Sequence, residues 1–374
     1  MGFYDVAIVG GGPAGSSCAG FCAAAGLHAI LIEREKFPRE KVCGDCLNPE
    51  CWPILRRLGI DGRVRAAPHA ALDWVEFVSL RDHHVRLDLP CDENGEIAIK
   101  RSVFDSIVLD RARELGTEVR EATTFTAIEE HSGKWKLTFG DNAQICARIL
   151  VAADGRNSTV ARLLGILPRL RKDRIALQAH IPLPPSFGNG VVLQLLPEGY
   201  SGQVAVNDRE LNLCLVGKPK SIRELQSWAT RTFNLSAAQQ WRTITPLTRS
   251  PFPPAQRNLL FVGDAARVVE PFTGEGIFYA LRSGELAAAA VRKMIAAVQP
   301  TDPARIGPPG RADQSLRPEM EQYMREHAAT YRGRLWINAL ARSAVVSPKL
   351  GSVFFEIARF QPSLLRRLTR KVVH

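Results

Sequence analysis

The sequence is poor in cysteine for its length. Eight cysteines are spread over 374 residues, which excludes a small fold built on disulfides, and no two pairs have the spacing of a zinc site. Cys43, Cys46 and Cys51 lie close together around a C-x-x-C motif without a second pair or a neighbouring histidine, so metal binding is disfavoured. The sequence leaves three roles open for these cysteines: structural residues, part of an active-site wall, or redox-active thiols.

Long apolar runs are also absent. No uncharged apolar stretch reaches the roughly 18–20 residues that cross a bilayer, and the first residues carry Asp5 where a secretory signal would carry Lys or Arg. We therefore expect a cytoplasmic protein. Hydrophobic residues make up 45% and charged residues 23% of the chain, which is typical of a globular protein and excludes disordered and collagen-like classes.

Negative charge is scarce at the C-terminal end. Residues 311–374 hold 12 Lys or Arg against 5 Asp or Glu, which accounts for most of the net charge of +11. The segment LGSVFFEIARFQPSLLRRLTRKVVH mixes apolar and basic residues, so two alternatives stay open. This basic C-terminus contacts an anionic membrane peripherally, or it packs its apolar face on the body of the protein. We expect no nucleic acid partner, because no base-stacking module accompanies the basic residues.

The N-terminal region has the pattern of a β-α-β unit. An apolar run precedes GGGPAGSSCAGFCAAAG, and a second apolar run ends on Glu33, where a carboxylate can accept hydrogen bonds from a ribose diol. The glycines fit G-x-G-x-x-G, in which they permit a tight turn, close approach of the backbone to a pyrophosphate, and close packing of helix on strand. The residues predicted to bind a dinucleotide here are Gly10, Gly12, Pro13, Ala14, Gly15, Glu33 and Arg34.

Alternation of apolar and polar residues predicts a second, sheet-based layer. Its strands are expected at 74–78, 174–181, 191–195, 203–206 and 211–216. Helices are expected at 102–115, 284–298, 317–340, 347–360 and 362–373, with a Pro- and Gly-rich linker at 299–314. We predict an α/β protein with three parts: a discontinuous Rossmann-like nucleotide domain (1–72, 98–170 and 245–299), an antiparallel substrate-binding β-sheet domain (73–97 and 171–244), and a helical C-terminus (317–374).

Two further motifs follow predicted strands. They are Asp154-Gly155 and Gly263-Asp264, and an acidic side chain at a strand end can accept hydrogen bonds from the hydroxyls of a cofactor. The next helix opens with a turn rich in glycine, so its N–H groups and positive dipole end are expected to face a bound ring and to stabilise negative charge on it. The residues of this turn that we expect at the cofactor are Pro271, Gly274, Glu275, Gly276 and Ile277.

The order of these three motifs resembles the GR2-type FAD-binding fold of the p-hydroxybenzoate hydroxylase-like flavoproteins. Within that group, GDAARVVEPFTGEGIFYAL and KVCGDCLNPECWPILRRLGI are most similar to the geranylgeranyl reductase family. The resemblance implies FAD, with Asp264 on its ribitol, Asp154 and Gly155 supporting its pyrophosphate, and the Gly276 turn at its isoalloxazine ring. Arg101 resembles the family's arginine near the pyrophosphate, the alternative being a surface ion pair with Asp105.

The same resemblance implies an FAD-dependent oxidoreductase that acts on a lipophilic organic substrate by hydride transfer through flavin N5, with NADPH or NADH as electron donor. The alternatives are an FAD-dependent monooxygenase that hydroxylates an aromatic or alkyl substrate, and a non-catalytic FAD-binding partner protein. A halogenase is less favoured because its W-x-W-x-I-P signature is missing. The sequence identifies no catalytic acid or base, and the candidate cavity residues are Cys43, Gly44, Asp45 and His180.

Overall fold

The fold is described by a computed structural model over residues 2–168, 174–297, 318–346 and 351–352. The strands in chain order are β1 (Gly2–Val9), β2 (Ala29–Ile32), β3 (Cys46–Leu47), β4 (Ala70–Ala71), β5 (Trp74–Val78), β6 (His84–Asp88), β7 (Ile97–Ala98), β8 (Glu118–Arg120), β9 (Phe125–His131), β10 (Lys134–Phe139), β11 (Gln144–Ala152), β12 (Ile175–Pro182), β13 (Gly190–Leu196), β14 (Gly199–Ala205), β15 (Glu210–Gly217), β16 (Arg242–Ile244), β17 (Ala255–Gln256) and β18 (Leu259–Phe261). The helices are α1 (Pro13–Ala24), α2 (Trp52–Leu58), α3 (Asp61–Ala66), α4 (Arg101–Glu114), α5 (Thr159–Leu163), α6 (Ile222–Phe233), α7 (Gly276–Ala296), α8 (Pro318–Thr330) and α9 (Leu335–Val346). Among the described residues, no helix is long and apolar enough to cross a membrane.

The central sheet carries the glycine-rich N-terminus. Its main path runs β17-β18-β11-β1-β2-β8, with parallel pairing from β18 through to β8, and β9 and β10 extend β11 as antiparallel strands. Alternate residues of β1 pack on opposite faces: Ile8 lies with α1 and α7, and Ala7 lies with Trp135 and Leu137 of β10. Because both faces are covered, β1 reads as the nearly continuous apolar run seen in the sequence.

Helices α1 and α7 cross closely on one face of this sheet. A Cβ added at Gly284 of α7 would lie 2.2 Å from Ser17 Oγ and 2.4 Å from the Ala14 carbonyl oxygen, so only glycine permits this crossing. The small residues of α1 therefore pack against a second helix as well as against the sheet, as the predicted close packing requires.

The second sheet has seven strands in the order β16-β12-β15-β14-β13-β5-β6. The predicted strands lie here and pair antiparallel with their neighbours, except that β5 and β13 pair in parallel, with Trp74 opposite Gly190. More than one hundred residues separate these two strands, so no hairpin forces them to be antiparallel. Helix α6 covers one face of the sheet through Leu225 and Ala229.

The helix predicted over residues 317–340 is interrupted. Two helices, α8 and α9, replace it, and the turn between them contains Gly333 at a φ of +80°. The antiparallel hairpin of β9 and β10 was not predicted from the sequence. The linker predicted at 299–314 and the helices predicted at 347–360 and 362–373 lie outside the described residues, apart from residues 351 and 352.

Candidate functional site

A cavity of about 320 Å³ lies between the two large sheets. The central sheet and its helices contribute the residues that the sequence analysis assigned to a dinucleotide, whereas the seven-stranded sheet contributes mainly apolar side chains. Helix α9 contacts the same cavity through Ile337 and Leu340. The predicted site residues that line it are Gly12, Pro13, Ala14, Cys43, Gly44, Asp45, Arg101, Gly155, Gly263, Asp264, Pro271, Gly274, Gly276 and Ile277.

The glycine-rich turn has the geometry that a close approach to a phosphate needs. Gly10 has a φ of +105°, and a Cβ at Gly15 would lie 1.8 Å from the Gly10 carbonyl oxygen, so both residues pack behind the turn and away from the cavity. Gly12 is the N-cap of α1, and no side chain caps the helix there. The first N–H groups of α1 therefore stay available for an anion.

Glu33 holds the turn from the side. Its Oε2 accepts a hydrogen bond from the Gly11 N–H at 2.6 Å, and its Oε1 accepts one from the Glu35 N–H at 2.9 Å. The carboxylate is buried but does not line the cavity, and the neighbouring Arg34 side chain is exposed. The predicted contacts of Glu33 and Arg34 with a cofactor stay predictions.

The two strand-end aspartates differ in their partners. Asp154 lies behind the cavity, where its Oδ2 accepts a hydrogen bond from the Val160 N–H at 2.9 Å at the start of α5. Asp264 lines the cavity, and its Oδ2 lies 2.9 Å from Arg156 Nη2. Burial would raise the pKa of the Asp264 carboxyl, but Arg156 and other cations hold that pKa below its ordinary value.

A group of cations that the sequence analysis did not assign surrounds the glycine-rich turn. Lys41 and Arg156 line the cavity, and Arg39 Nη2 lies 3.5 Å from the position of a Cβ on Gly12. Burial, followed by the charge of Arg101, lowers the pKa of Lys41 to about 8. The signals available in the sequence were adjacency to known motifs, since Lys41 is the first residue of KVCGDCLNPECWPILRRLGI and Arg156 directly follows the Asp154-Gly155 pair.

Arg101 pairs with Asp105, but inside the protein and not at its surface. It lines the cavity at the start of α4, and its Nε and Nη2 donate to the two carboxylate oxygens of Asp105 at 2.7 Å each. The pair is buried, with 6% and 0% of the side chains exposed, so it is not a surface ion pair. Arg39 Nη1 lies 3.2 Å from the same carboxylate, which therefore orients two arginines.

The turn before α7 has two sides. Its cavity side carries Pro271 and Gly274, the latter at a φ of +71°, and α7 begins at Gly276 without a side-chain cap. Glu275, which was expected at the cofactor, turns away from the cavity. Its carboxylate accepts hydrogen bonds from Tyr279 Oη at 3.0 Å and from two residues at the start of α9. Its role is thus to attach α9 to the turn.

Asp45 is the most buried of the candidate cavity residues. Its Oδ2 accepts a hydrogen bond from Asn212 Nδ2 at 2.8 Å and lies 2.8 Å from His180 Nε2. His180 therefore lies behind Asp45 and does not line the cavity itself. Cys43 and Cys46 line the cavity with free thiols, and burial raises the pKa of Cys46 well above its ordinary value, which disfavours a reactive thiolate there.

These residues fit FAD. The uncapped N-terminus of α1 and the cations at Lys41, Arg101 and Arg156 suit a diphosphate, and the carboxylate of Asp264 suits hydroxyl groups. Gly12 lines the cavity, and a Cβ at this position would meet only Arg39 Nη2 at 3.5 Å. Because glycine has no Cβ, a phosphate can come close to the backbone here. The uncapped start of α7 lies on the same cavity and suits an electron-rich ring edge.

Comparison with known proteins agrees with this assignment. Residues 3–181 match the family described as an FAD binding domain. The chain is similar to conditioned medium factor receptor 1 of Dictyostelium discoideum (28% identity, 77% of this chain and 63% of the relative) and to the menaquinone reductase of Mycolicibacterium smegmatis (29% identity, 76% and 75%). It is also similar to the digeranylgeranylglycerophospholipid reductase of Methanosarcina acetivorans (26% identity, 78% and 76%). The chain thus spans less than two thirds of the Dictyostelium protein and about three quarters of the two reductases.

Solved structures share the fold over nearly the whole chain. The flavin-dependent brominase Bmp2 superposes with a TM-score of 0.79 at 21% identity, covering 99% of this chain and 93% of the brominase. At this identity the likeness concerns the fold alone. It includes the helical C-terminal part as far as the structure describes it, beyond the residues that match the FAD binding domain.

Proposed function

We propose that this chain is a geranylgeranyl reductase-like FAD flavoprotein that reduces a carbon–carbon double bond in a lipophilic substrate. The observation that carries the proposal is the single cavity shared by the FAD-binding elements and the seven-stranded sheet. Bound FAD, when reduced, supplies a hydride equivalent through its N5 position. The residues proposed to hold FAD are the predicted ones that line the cavity, with two cations added: Gly12, Pro13, Ala14, Arg101, Gly155, Gly263, Asp264, Pro271, Gly274, Gly276, Ile277, Lys41 and Arg156.

The sheet side of the cavity supports a lipophilic substrate. Its walls are the side chains of Phe77, Leu193, Val204, Val216 and Phe272, which pack into one apolar cluster or against it. An apolar ligand gains roughly 25 cal/mol for each Å² that it removes from water, and this wall offers few polar groups to orient anything else. Menaquinone and digeranylgeranylglycerophospholipid, which give two of the relatives their names, are both lipids.

The proposal has three further parts, which concern the electron donor, the C-terminus and the division into domains. We propose NADPH or NADH as the electron donor, since such a flavoprotein must be reduced before each turnover. We propose that the basic C-terminus contacts the inner, anionic surface of a membrane, on the basis of the charge of residues 311–374. We also propose the domain division given above, with residues 1–72, 98–170 and 245–299 holding FAD and 73–97 and 171–244 facing the substrate.

The test uses the purified protein with its bound FAD. The flavin is reduced anaerobically with NADPH, NADH or dithionite, and the protein is then incubated with menaquinone or with a geranylgeranyl lipid. A product that has gained two hydrogen atoms at a carbon–carbon double bond of its isoprenoid chain supports the proposal, whereas a quinone reduced only to its quinol does not. A product with added oxygen in air, or with added halogen when halide is present, overturns it in favour of oxygenation or halogenation. Failure of every donor to reduce the flavin supports a non-catalytic protein.

A pair of variants locates the substrate. Leu193 and Val192 are neighbours on β13, but only Leu193 lines the cavity, because adjacent strand residues face opposite sides of a sheet. Leu193→Trp is expected to abolish substrate binding and to keep the FAD content, whereas Val192→Trp is expected to keep both. Substrate binding that survives Leu193→Trp would place the substrate elsewhere.

A further inference from the structure

A carboxylic acid lies in the wall of the cavity without any assigned role. Asp45 precedes β3 at a φ of +60°, and its side chain is fully buried. The side chains of Asn212 and His180 both contact the Oδ2 atom of this carboxyl. Oδ1 is buried and has no hydrogen-bond partner among the described residues. A proton on this carboxyl is therefore best placed on Oδ1, because the donors on Oδ2 compete with a proton there.

His180 and Glu40 lie behind Asp45, on the side away from the cavity. His180 is almost buried, with 7% of its side chain exposed, and its Nε2 lies 2.8 Å from Asp45 Oδ2. On the other side of the ring, Nδ1 lies 3.9 Å from Glu40 Oε2, which is beyond hydrogen-bond distance. That oxygen is buried without a hydrogen-bond partner among the described residues, although 27% of the Glu40 side chain as a whole is exposed. Ser102 Oγ donates to the other oxygen of Glu40 at 3.2 Å and fixes its orientation. The order from cavity to solvent is thus Asp45, His180, Glu40.

The surroundings of Asp45 favour its protonated form. Burial raises the pKa of the carboxyl and outweighs the opposing charges of His180 on β12 and Arg101 on α4, while Glu40 raises it further. The other ionisable neighbours are the thiols of Cys43 and Cys46 in the same loop and of Cys214 on β15. A buried acid with a raised pKa beside a cavity is suited to general acid catalysis.

We infer that Asp45 is the proton donor to the substrate and that His180, through its contact with Oδ2, sets how readily the carboxyl gives up its proton. The inference rests on the proposed function, in which a double bond takes up one hydride equivalent and one proton. The Oδ1–H bond of Asp45 breaks as a C–H bond forms at the substrate carbon that holds the electron pair, and Asp45 is left as a carboxylate. Water returns a proton to Oδ1 once the product has left the cavity, while Asn212 and His180 keep their contacts with Oδ2.

Asp45 and His180 have different roles in the proposed proton transfer. Asp45 lines the cavity and would be a catalytic residue, whereas His180 acts through Asp45 and is a positioning residue. Asn212 holds the same carboxylate oxygen and also donates to the Cys43 carbonyl oxygen at 2.8 Å, so it fixes the loop in place even when His180 is replaced.

The first experiment needs no turnover, so it separates this inference from the proposed function. Infrared difference spectra of the FAD-bound protein are recorded during a pH titration in H2O and D2O. The parent is expected to show a protonated carboxyl band that shifts in D2O. Asp45→Asn should remove this band, whereas Asp208→Asn, whose aspartate is 84% exposed, should keep it. His180→Gln should move its titration midpoint. If the band of the parent is still present in the spectrum of Asp45→Asn, the inference is overturned.

The second experiment measures reduction of the lipid. General acid catalysis typically contributes 10²–10⁴-fold, so Asp45→Asn is expected to lower kcat by about 100-fold or more with unchanged FAD content and substrate Kd. His180→Gln should lower kcat less and should shift its pH profile, and Asp45→Glu should restore part of the activity. Parent-like kcat in Asp45→Asn refutes the role. If the parent itself reduces no lipid, the proposed function fails. The infrared spectra still decide whether the Asp45 carboxyl is protonated and whether His180→Gln shifts its titration midpoint.

Discussion

Two glycines of the same motif should respond in opposite ways to alanine. A Cβ on Gly15 would lie 1.8 Å from the Gly10 carbonyl oxygen and 3.0 Å from Ala153 Cβ, whereas ordinary van der Waals contact begins at 3.4 Å. A backbone carbonyl cannot rotate out of the way, so α1 would have to move off β1. Overpacking of this kind costs typically about 1–3 kcal/mol, and we expect the upper end of that range because α1 is buried along most of its length.

Gly12 differs because its surroundings are open. Its φ of −72° and ψ of 179° are accessible to alanine, and an added Cβ would meet only Arg39 Nη2 at 3.5 Å. Gly12→Ala should therefore change the free energy of unfolding by less than about 1 kcal/mol. The new methyl group would nevertheless project beside the N–H groups of α1, where the pyrophosphate is expected. We predict at least a tenfold increase in the Kd for FAD, equivalent to about 1.4 kcal/mol.

Urea unfolding of the apoprotein and titration with FAD, followed by flavin fluorescence, measure the two effects separately. Gly62→Ala is the matched control, since Gly62 lies in α3 and a Cβ there would meet nothing within 4 Å. It should keep the FAD affinity and should not lower the unfolding midpoint, because alanine is more favourable than glycine in a helix by up to about 1 kcal/mol. Parent-like FAD affinity in Gly12→Ala would show that no phosphate approaches this turn, and an unchanged midpoint in Gly15→Ala would refute the packing argument.

Three further perturbations test the site and its surroundings. Asp264→Asn should weaken FAD binding more than Asp154→Asn, by about tenfold or more, because a hydrogen bond to a charged group is worth about 1.5–3 kcal/mol and only Asp264 lines the cavity; equal losses in FAD titrations would contradict this. FAD affinity should fall as the pH rises through about 8, where the apoprotein's Lys41 loses its charge, and Lys41→Arg should flatten that dependence, so an identical pH profile in the variant counts against Lys41. Burial, with a smaller effect from Arg267, lowers the pKa of His327 to about 4 from 6.5, so the unfolded state binds the proton more readily and stability should fall by up to about 3 kcal/mol between pH 6.5 and 4; urea midpoints of His327→Gln should lose this part of the slope.

The sequence predicts best those features that depend on neighbouring residues. The turn from β1 into α1 needs a positive φ at Gly10 and no Cβ at Gly15, and both requirements are local, so the spacing of the glycines reveals them. The strand-end positions of Asp154 and Asp264 follow in the same way from the apolar runs that precede them. Their different partners do not, because Arg156 reaches Asp264 across 108 residues of sequence.

Long-range pairings account for what the sequence analysis missed. The parallel contact of β5 with β13 depends on the path of the intervening chain and leaves no periodic signal in either strand. Asp45 and His180 were both candidates, but their separation of 135 residues hid the fact that they share one hydrogen bond. The alternating pattern of β12 places His180 on one face of its strand, and only the crossing of the loop that carries Asp45 makes that face part of the site.

Residues beyond the matched FAD binding domain complete the cavity. Asn338 of α9 accepts a hydrogen bond from the Glu270 N–H at 3.0 Å and donates one to Glu275 Oε2 at 3.2 Å, and Arg334 donates to Glu275 Oε1 at 3.1 Å. The turn that faces the expected flavin ring thus carries on its other side the contacts that position α9. Ile337 lies between these two residues in sequence and lines the cavity, so α9 can form this wall only while the turn before α7 keeps its conformation. A change in that turn should therefore affect the proposed FAD site and the substrate wall together, because the Glu275 carboxylate binds Arg334 and Asn338 from the same turn.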